Sequence, residues 1–254
     1  MKLITLNTWS GKLDKPLKSF IKNHSDKIDI FCFQEIFNCD DNIGQQYLTN
    51  MKDQNTNLHN NISAILNKYN GLFCPVFGEI FGIAAFVRKS IDIIDFGDIT
   101  IFENESFSFW DDTGEDHTRK AQWLKLKSTN GEFMVVNVHG HWTGKGKSDD
   151  DDRIKQSEKI VNFLDMISLP KIVCGDFNLL LNTKSIAMID AKLKNLIKEH
   201  KILSTRTSLY KKEERHADYV FVSPDIKVNS FEVLPDEVSD HSPLFLDFEI
   251  QQTN

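Results

Sequence analysis

The sequence contains 254 residues, of which 40% are hydrophobic and 26% are charged, and it carries a formal net charge of −7. These values are typical of a globular protein with room for one large α/β domain or two small ones. The negative charge argues against tight non-specific binding to long duplex DNA, because proteins that bind DNA in that way neutralise phosphates with a basic face. No apolar run is long enough to span a bilayer, so we expect no membrane span.

The N-terminus and the cysteines indicate the compartment. The chain enters a strand pattern directly at Met1, without the apolar region and small-residue cleavage site of a secretory signal. The cysteines are widely scattered and form neither a CxxC pair nor a disulfide framework: Cys32, Cys39, Cys74 and Cys174. We therefore expect a cytoplasmic protein with reduced thiols, and we expect a monomer.

Strand and helix patterns alternate along the first half of the chain without a linker or a repeat. Apolar runs predict strands at residues 2–9, 28–33, 73–77, 80–88 and 91–102, the last range as a strand pair. Helical spacing predicts helices at residues 16–27 and 58–69. Residues 38–55 are polar and predict a loop with a short helix. Residues 103–118 are acidic and aromatic and predict a loop too long for a simple connector.

The second half of the chain continues this alternation. Strands at residues 121–127 and 132–139 suit a hairpin that turns at Thr129-Asn130-Gly131. The acidic run 149–152 favours a helix start before the predicted helix 153–167. A buried strand enters through Pro170, and a helix at 185–200 and strands at 219–223, 228–234 and 244–250 follow. The mixture predicts one α/β sandwich domain over residues 1–254 with mixed sheets.

The central strand ends in Gly175-Asp176-Phe177-Asn178. Side chains two residues apart on an extended chain project to the same face, so Asp176 and Asn178 are expected to point into one space beyond the sheet. Taken alone, a strand that ends in an Asp/Asn turn is the commoner explanation of this stretch.

Polar side chains recur at the ends of other predicted strands. They are Asn7, Glu35 and His139 after strands, and Asp218, Asp240 and His241 before strands. Each has an ordinary explanation as a turn former, a solvated strand end or a satisfied histidine. Their repetition predicts one shared polar pocket at an edge of the sheets. Carboxylates and a carboxamide suit a hard cation such as Mg²⁺, and a histidine suits the charge that develops on a phosphoryl group.

An ordered set of short segments resembles the endonuclease/exonuclease/phosphatase superfamily, which has the DNase I-like fold. Each tripeptide is weakly specific, but the set follows the family's order and spans nearly the whole chain. The segments are Leu6-Asn7-Thr8-Trp9, Phe33-Gln34-Glu35, residues 82–88, Asn137-Val138-His139, Gly175-Asp176-Phe177-Asn178, Ala217-Asp218-Tyr219 and residues 239–244. The resemblance implies a four-layer α/β sandwich of two mixed sheets packed face to face, with helices on the outside.

The resemblance also implies a metal site and a water-activating group. Glu35 is expected to be the principal ligand of Mg²⁺, or of Mn²⁺ as a substitute, with help from Asn7 and Asp240. Asp176 is expected to orient or deprotonate the attacking water, and Asn178 to hold water and phosphate oxygens.

Three further residues are expected to act at the phosphate. His241 is expected to contact the scissile phosphate while Asp218 holds its far nitrogen, as neighbouring carboxylates often hold an imidazole. His139 is expected to donate to the phosphate or to the leaving oxygen. The segment Val138-His139-Gly140-His141-Trp142 matches neither the abasic-site endonucleases, which usually have Tyr where His139 stands, nor the lipid and RNA-tail branches, which usually read Thr-His-Leu.

Several residues are candidates for binding the substrate. Arg119 resembles an arginine that relatives aim at a phosphate, although a surface arginine explains it equally well. Arg206 is expected to set specificity by contacting substrate groups remote from the reacting centre. Aromatic residues in predicted loops are suited to stacking on a base, packing against lipid or covering the sheet rim: Phe107, Phe109, Trp110 and Trp142.

The segment Gly144-Lys145-Gly146-Lys147-Ser148 is not a nucleotide-binding phosphate loop, because His141 stands where that motif needs a glycine. It predicts a mobile loop in which Lys145 or Lys147 contacts the substrate. Three functions remain at this stage. They are a phosphodiesterase or nuclease on nucleic acid or nucleotides, a phosphatase or phospholipase on sugar, inositol or lipid phosphates, and a non-catalytic binding module.

Overall fold

The computed structural model describes residues 1–39, 53–104 and 117–251, and their strands form two sheets of six. The first sheet has the spatial order β11-β12-β1-β2-β4-β3. Its strands are β1 (Lys2–Asn7), β2 (Ile30–Phe37), β3 (Tyr69–Phe77), β4 (Phe81–Arg88), β11 (Ile226–Val233) and β12 (Leu244–Ile250). Strands β1 and β2 are parallel and the other neighbours are antiparallel, so the sheet is mixed.

The second sheet has the spatial order β5-β6-β7-β8-β10-β9. Its strands are β5 (Asp92–Phe102), β6 (Arg119–Ser128), β7 (Gly131–His139), β8 (Lys171–Asp176), β9 (Lys194–Asn195) and β10 (Asp218–Val222). Only β7 and β8 run parallel among these pairs. Each sheet therefore has one parallel pair, and the carboxyl ends of these two pairs carry Asn7, Glu35, His139 and Asp176.

Helices cover the outer faces, which confirms the predicted four-layer sandwich. They are α1 (Asp14–His24), α2 (Leu58–Ile65), α3 (Asp151–Asp165), α4 (Lys184–Asp190) and α5 (Leu196–Glu199). Helices α1 and α2 bury Leu17, Phe20 and Ile62 in one apolar cluster with Phe31 and Phe33 of β2. Among the described residues, no helix is both long enough and apolar enough to cross a bilayer.

Several predicted elements differ from the structure. The predicted helix at 58–69 ends at Ile65, and β3 already begins at Tyr69. The predicted helix at 185–200 is wrong, because the chain leaves α4 at Asp190 and forms strand β9, in which Asn195 pairs with Phe221 of β10. The Asn195 side chain then accepts hydrogen bonds from the first N–H groups of α5, and this cap starts a separate helix. The predicted strand pair at 91–102 is one strand, Asp92–Phe102, with two register shifts against β6.

A bulge in β2 directs Glu35 toward the site. Phe31, Phe33 and Ile36 all pack on the outer face of the sheet, so one extra residue lies between Phe33 and Ile36. The pairing with β4 shifts register at this point, and Glu35 has a left-handed backbone with φ of 58°. Regular alternation would send Glu35 to the outer face together with Phe33. The bulge instead turns its side chain toward the second sheet.

A buried polar network joins the two sheets beneath the site. Gln34 donates to Asn137 Oδ1 across the sandwich at 2.6 Å and to Thr5 Oγ1 at 3.2 Å. Asn137 in turn donates to the carbonyl oxygen of Phe33, the residue just before Gln34. Buried amides that find such partners specify one arrangement of the elements they join. The network therefore sets the position of β2 relative to β7 directly before Glu35.

Gly175 allows β8 to approach β7 closely. Its φ is 129°, and a Cβ at this position would lie 2.1 Å from the carbonyl oxygen of Val138. Only glycine fits such a backbone conformation and such a contact. The close approach fixes the position of Asp176, which is the next residue.

Candidate active site

A cleft of about 350 Å³ lies at the carboxyl ends of the two parallel strand pairs. Most of the residues predicted for the site line this cleft: Glu35, Arg119, His139, Trp142, Asp176, Asn178, Arg206, Asp240 and His241. The remaining two, Asn7 and Asp218, are buried behind it and contact lining residues. Folding thus brings together groups from distant parts of the chain.

Asn7 joins the two carboxylates at the centre of the cleft. Its Nδ2 donates to Glu35 Oε1 at 2.9 Å and to Asp176 Oδ2 at 3.0 Å. Its Oδ1 accepts the backbone N–H of Trp9 at 3.0 Å. The amide therefore presents its nitrogen to both carboxylates. For Asn7 to bind a cation through its oxygen, the amide has to rotate by about half a turn and give up the bond to Trp9.

The electrostatics of Glu35 fit a cation site. Burial raises the pKa of Glu35, the hydrogen bond from Asn7 lowers it, and the negative charges of Asp240 and Asp176 raise it further. Carboxylates that repel one another in this way are stabilised when a hard cation shares their oxygens. Glu35 and Asp240 both line the cleft, and their carboxylate oxygens are the donor type that suits Mg²⁺.

A second triad of possible ligands serves a different purpose. Asp176, Asp218 and His241 offer atoms within 4.8 Å of one another. However, Asp218 Oδ1 and His241 Nδ1 are 2.7 Å apart and satisfy each other by a hydrogen bond. Asp218 and His241 are therefore already engaged with each other as hydrogen-bond partners.

Asp176 and Asn178 line the same cleft, but strand alternation is not the reason. Strand β8 ends at Asp176, and Asn178 has a left-handed backbone with φ of 53°. The Asn178 N–H donates to Asp176 Oδ1 at 2.8 Å, so the pair forms a turn closed by the aspartate side chain. The Asn178 amide donates to the carbonyl oxygen of Gly140 at 3.1 Å, which leaves one N–H of that amide for the cleft.

His241 is held from behind and faces Asp176. Its Nδ1 lies 2.7 Å from Asp218 Oδ1, and Asp218 Oδ2 accepts the hydroxyl of Thr205 at 2.9 Å. The His241 Nε2 lies 3.6 Å from Asp176 Oδ2. The predicted arrangement, in which Asp218 holds the far nitrogen of His241, is the one that the structure contains.

Burial sets the protonation of this pair. It lowers the pKa of His241 to about 3, with a further lowering by Arg206, and it raises the pKa of Asp218 to about 6. At neutral pH the imidazole is therefore neutral and donates through Nδ1 to a charged Asp218.

His139 and Arg119 form a second contact at the cleft. Both side chains are buried, with 2% and 5% of their surface exposed, so Arg119 is not a surface arginine. Arg119 Nη1 lies 2.5 Å from His139 Nε2, which must accept because a guanidinium only donates. His139 Nε2 also lies 4.0 Å from Glu35 Oε1. The pair is thus in contact with the carboxylate group of the site.

Arg206 lies inside the site, which differs from the expectation that it is remote. Its Nη1 donates to Asp240 Oδ2 at 3.2 Å, and its guanidinium stacks 4.2 Å from the ring centroid of Tyr210. A backbone bridge also pairs Arg206 with His241. The sequence did not predict this contact, because residues 206 and 240 are far apart in the chain and meet only through the pairing of two irregular segments.

The Arg206→Ala variant is expected to slow hydrolysis of every phosphoester, a minimal aryl phosphodiester included. It removes the buried counter-charge of Asp240, and a lost charge-assisted hydrogen bond costs about 10- to 100-fold. Steady-state kinetics on aryl and nucleotide phosphodiesters measures the effect. Arg215→Ala is the matched control, because the Arg215 side chain is exposed. If activity fell only on larger substrates, Arg206 would instead act in substrate specificity alone.

The aromatic candidates divide into two groups. Trp142 lines the cleft and is 42% exposed. Phe107, Phe109 and Trp110 lie outside the described residues.

The structure adds site residues that the sequence interpretation missed or left undecided. Ser10 donates to Glu35 Oε2 at 3.2 Å, and Tyr210 and His117 line the cleft. Lys147, one of two lysines considered in its loop, is buried with 4% exposure and also lines the cleft. Among these residues only Lys147 had a sequence signal, because it lies in a short basic loop that contains two glycines.

Comparisons with known proteins agree with this fold. The sandwich of two mixed sheets, with carboxylates and histidines at one edge, defines the DNase I-like class of α/β proteins. The sequence matches the model of the endonuclease/exonuclease/phosphatase family over residues 4–241, and the chain belongs to this family. Hydrolysis of phosphoester bonds is the activity that the family's name describes. No curated protein shows significant sequence similarity to the chain.

Solved structures share the fold over nearly the full chain. An endonuclease/exonuclease/phosphatase from Bacteroides vulgatus has a TM-score of 0.69 and 21% identity, with 98% of each chain covered. A mannosyl-6-phosphatase from Bacteroides thetaiotaomicron has a TM-score of 0.72 and 19% identity, covering 98% of this chain and 100% of that chain. The human Nocturnin catalytic domain with bound sulfate has a TM-score of 0.66 and 18% identity, covering 99% and 93%. At these identities the similarity shows the fold alone.

Proposed function

We propose that this protein is a divalent-metal-dependent phosphoesterase that hydrolyses a P–O bond by in-line attack of water. Its proposed substrate is a phosphodiester of a nucleotide or nucleic acid. The observation that carries the proposal is the convergence of Glu35 and Asp176 on Asn7, with His241 Nε2 3.6 Å from Asp176. Water-activating, cation-binding and phosphate-binding groups thus share one cleft.

Different residues of the cleft have different roles in the proposed reaction. Glu35 and Asp240 would hold the cation, together with Asn7 if its amide rotates, and Mg²⁺ or Mn²⁺ would supply charge neutralisation at the phosphoryl oxygens. Asp176 orients the attacking water and accepts its proton, while the remaining N–H of Asn178 holds the water or a phosphate oxygen.

Histidines and an arginine act on the phosphate. His241 stabilises the charge that develops on the phosphoryl oxygens, and Asp218 keeps its imidazole in place. Arg119 donates to the phosphate through guanidinium N–H groups other than the one that His139 Nε2 accepts, and His139 orients the guanidinium.

Charge and the lining of the cleft favour a small or single-stranded nucleotide substrate. The net charge of −7 opposes binding to long duplex. Trp9, Trp142 and Tyr210 line the cleft, and aromatic side chains at such positions stack on bases without regard to sequence.

A phosphatase or phospholipase that acts on sugar, inositol or sphingolipid phosphates is the second candidate. The full-length likeness to a mannosyl-6-phosphatase favours it. A panel of dinucleotides, RNA, plasmid DNA, inositol phosphates, mannose 6-phosphate and sphingomyelin, each assayed with Mg²⁺ and with EDTA, separates the two. Preference for a monoester or a lipid would overturn the nucleotide assignment. A complete lack of turnover with Mg²⁺ would leave a non-catalytic binding module.

Removal of the metal is expected to abolish activity, and Glu35→Gln is expected to weaken the response to Mg²⁺. Because the pKa of Glu35 is raised, its charge costs stability as the pH rises through that pKa. In EDTA at neutral pH the variant should therefore melt at a higher temperature than the wild type. Added Mg²⁺ should raise the melting temperature of the wild type more than that of the variant.

Thermal melts and hydrolysis assays over a Mg²⁺ series measure both effects. Glu199→Gln, at a partly exposed carboxylate in α5, is the control. Full activity in excess EDTA, or equal Mg²⁺ responses of the wild type and Glu35→Gln, would remove Glu35 as the ligand.

A further inference from the structure

The loop at residues 144–148 is firmly anchored, although its sequence predicts mobility. Arg153, in the first turn of α3, donates to the carbonyl oxygens of Gly146 at 2.8 Å and Ser148 at 2.6 Å. The adjacent Asp149 accepts the N–H of Ser185 at 3.0 Å, at the start of α4. A buried arginine and a helix start therefore hold both sides of the segment that carries Lys147.

Lys147 is a buried cation with little compensation. Its Nζ donates to Asn178 Oδ1 at 2.6 Å, and this is the one hydrogen bond that Nζ makes to the residues that the structure describes. An ammonium group has three N–H donors, so two are left over. No carboxylate in the described part of the chain lies within ion-pair distance of Lys147, although Asp176 and Asp218 act on it from farther away.

A buried ammonium group without a counter-ion lowers the stability of the folded protein unless a bound anion pairs with it. Placing a charge in a buried position without a contacting counter-ion is unfavourable, and burial lowers the pKa of Lys147 to about 8. Of the other buried cations of the cleft, Arg206 pairs with Asp240 and Arg119 contacts His139, whereas Lys147 has no ion-pair partner among the described residues. Lys147 lines the cleft, so an anion that binds in the cleft can reach the two N–H donors that Nζ does not use.

We infer that Lys147 is a phosphate-binding catalytic residue, delivered by the 144–148 loop, which contacts a non-bridging oxygen of the substrate's phosphoryl group. Its contact with Asn178 puts this charge next to the turn that carries Asp176. The ammonium group neutralises charge that grows on the phosphoryl oxygens during attack. The identity of the anion rests on the proposed function, whereas the existence of an anion-binding lysine rests on geometry.

The first test measures binding without turnover. Inorganic phosphate is titrated into the Mg²⁺-loaded protein by calorimetry. The Lys147→Met variant is expected to bind phosphate about 10- to 100-fold more weakly than the wild type, the scale of a hydrogen bond to a charged group. Lys147→Arg is expected to recover part of the loss. Of the two lysines that the sequence left as candidates, Lys145 is exposed and does not line the cleft, so Lys145→Met is the matched control and should bind phosphate normally.

The second test separates function from structure. A lysine whose pKa is lowered by burial costs stability as the pH falls through that pKa, so its charge is unfavourable at neutral pH. Lys147→Met is therefore expected to melt at or above the wild-type temperature at pH 7 while losing phosphate affinity. A variant that melts lower and binds phosphate normally would make Lys147 a structural residue.

The outcomes distinguish this inference from the proposed function. Wild-type protein that binds no phosphate, or a Lys147→Met variant that binds it as tightly as the wild type, overturns the inference. Lys147-dependent phosphate binding by a protein that hydrolyses no phosphoester supports the inference and overturns the proposed activity. Where hydrolysis occurs, kcat/KM for an aryl phosphodiester should fall about 10- to 100-fold in Lys147→Met and remain unchanged in Lys145→Met.

Discussion

The His241→Ala variant is expected to lower kcat by about 10²- to 10³-fold, the scale for removing one group that stabilises charge on a reacting oxygen. The imidazole has no substitute at its position, because Asp218 holds it from behind and Asp176 lies on its other side. The loss should appear in kcat for both small and large substrates, since the contact is made to the reacting phosphoryl group.

Steady-state kinetics on an aryl phosphodiester at saturating Mg²⁺ measures this loss, and circular dichroism verifies folding. His200→Ala is the matched control, because His200 is exposed and does not line the cleft. A properly folded His241→Ala enzyme with near-normal kcat would remove the residue from the reaction.

The Asp176→Asn variant is expected to lower kcat by about 10²-fold or more, the scale for a positioned general base. Asparagine keeps an oxygen for the N–H of Asn178 but lacks the basic carboxylate. Asp176 Oδ2 now accepts a hydrogen bond from Asn7 Nδ2. In the variant an amide nitrogen would take the place of this oxygen, so two hydrogen-bond donors would face and repel each other. The fold should persist, since this change is confined to the last residue of β8.

Asp165→Asn, at the exposed end of α3, is the control for Asp176→Asn. Combining Asp176→Asn with His241→Ala should cost less than the product of the separate losses, because both residues act on one transition state. Fully multiplicative losses would argue that the two residues act in separate steps. Turnover near the wild-type rate in Asp176→Asn would exclude Asp176 as the base.

The sequence by itself predicted the elements and the family. The alternation of apolar runs and helical spacing is local, and the β-branched strand before Gly175 or the turn at Thr129-Asn130-Gly131 can be recognised without knowledge of the fold. Ordered polar residues at strand ends were sufficient to predict a shared cleft. The predicted helix at 185–200 failed because pairing of Asn195 with β10 is a long-range contact that outweighs local helix propensity.

Only the tertiary structure determined how the side chains meet. The bulge that turns Glu35 inward depends on its pairing with β4, and the turn that joins Asp176 to Asn178 depends on a side-chain hydrogen bond that no periodicity encodes. Arg206 reaches Asp240 only because two irregular segments pair beside His241.

The burial of Lys147 has the same origin. Its loop has the composition of a mobile, solvated segment, and nothing within the loop indicates that Arg153 anchors it or that the lysine enters the cleft. Local sequence determines which backbone conformations are favourable, because propensity and periodicity act over a few residues. Burial, charge compensation and the direction of a side chain arise from packing between residues far apart in the chain, and here that packing assembled the cleft.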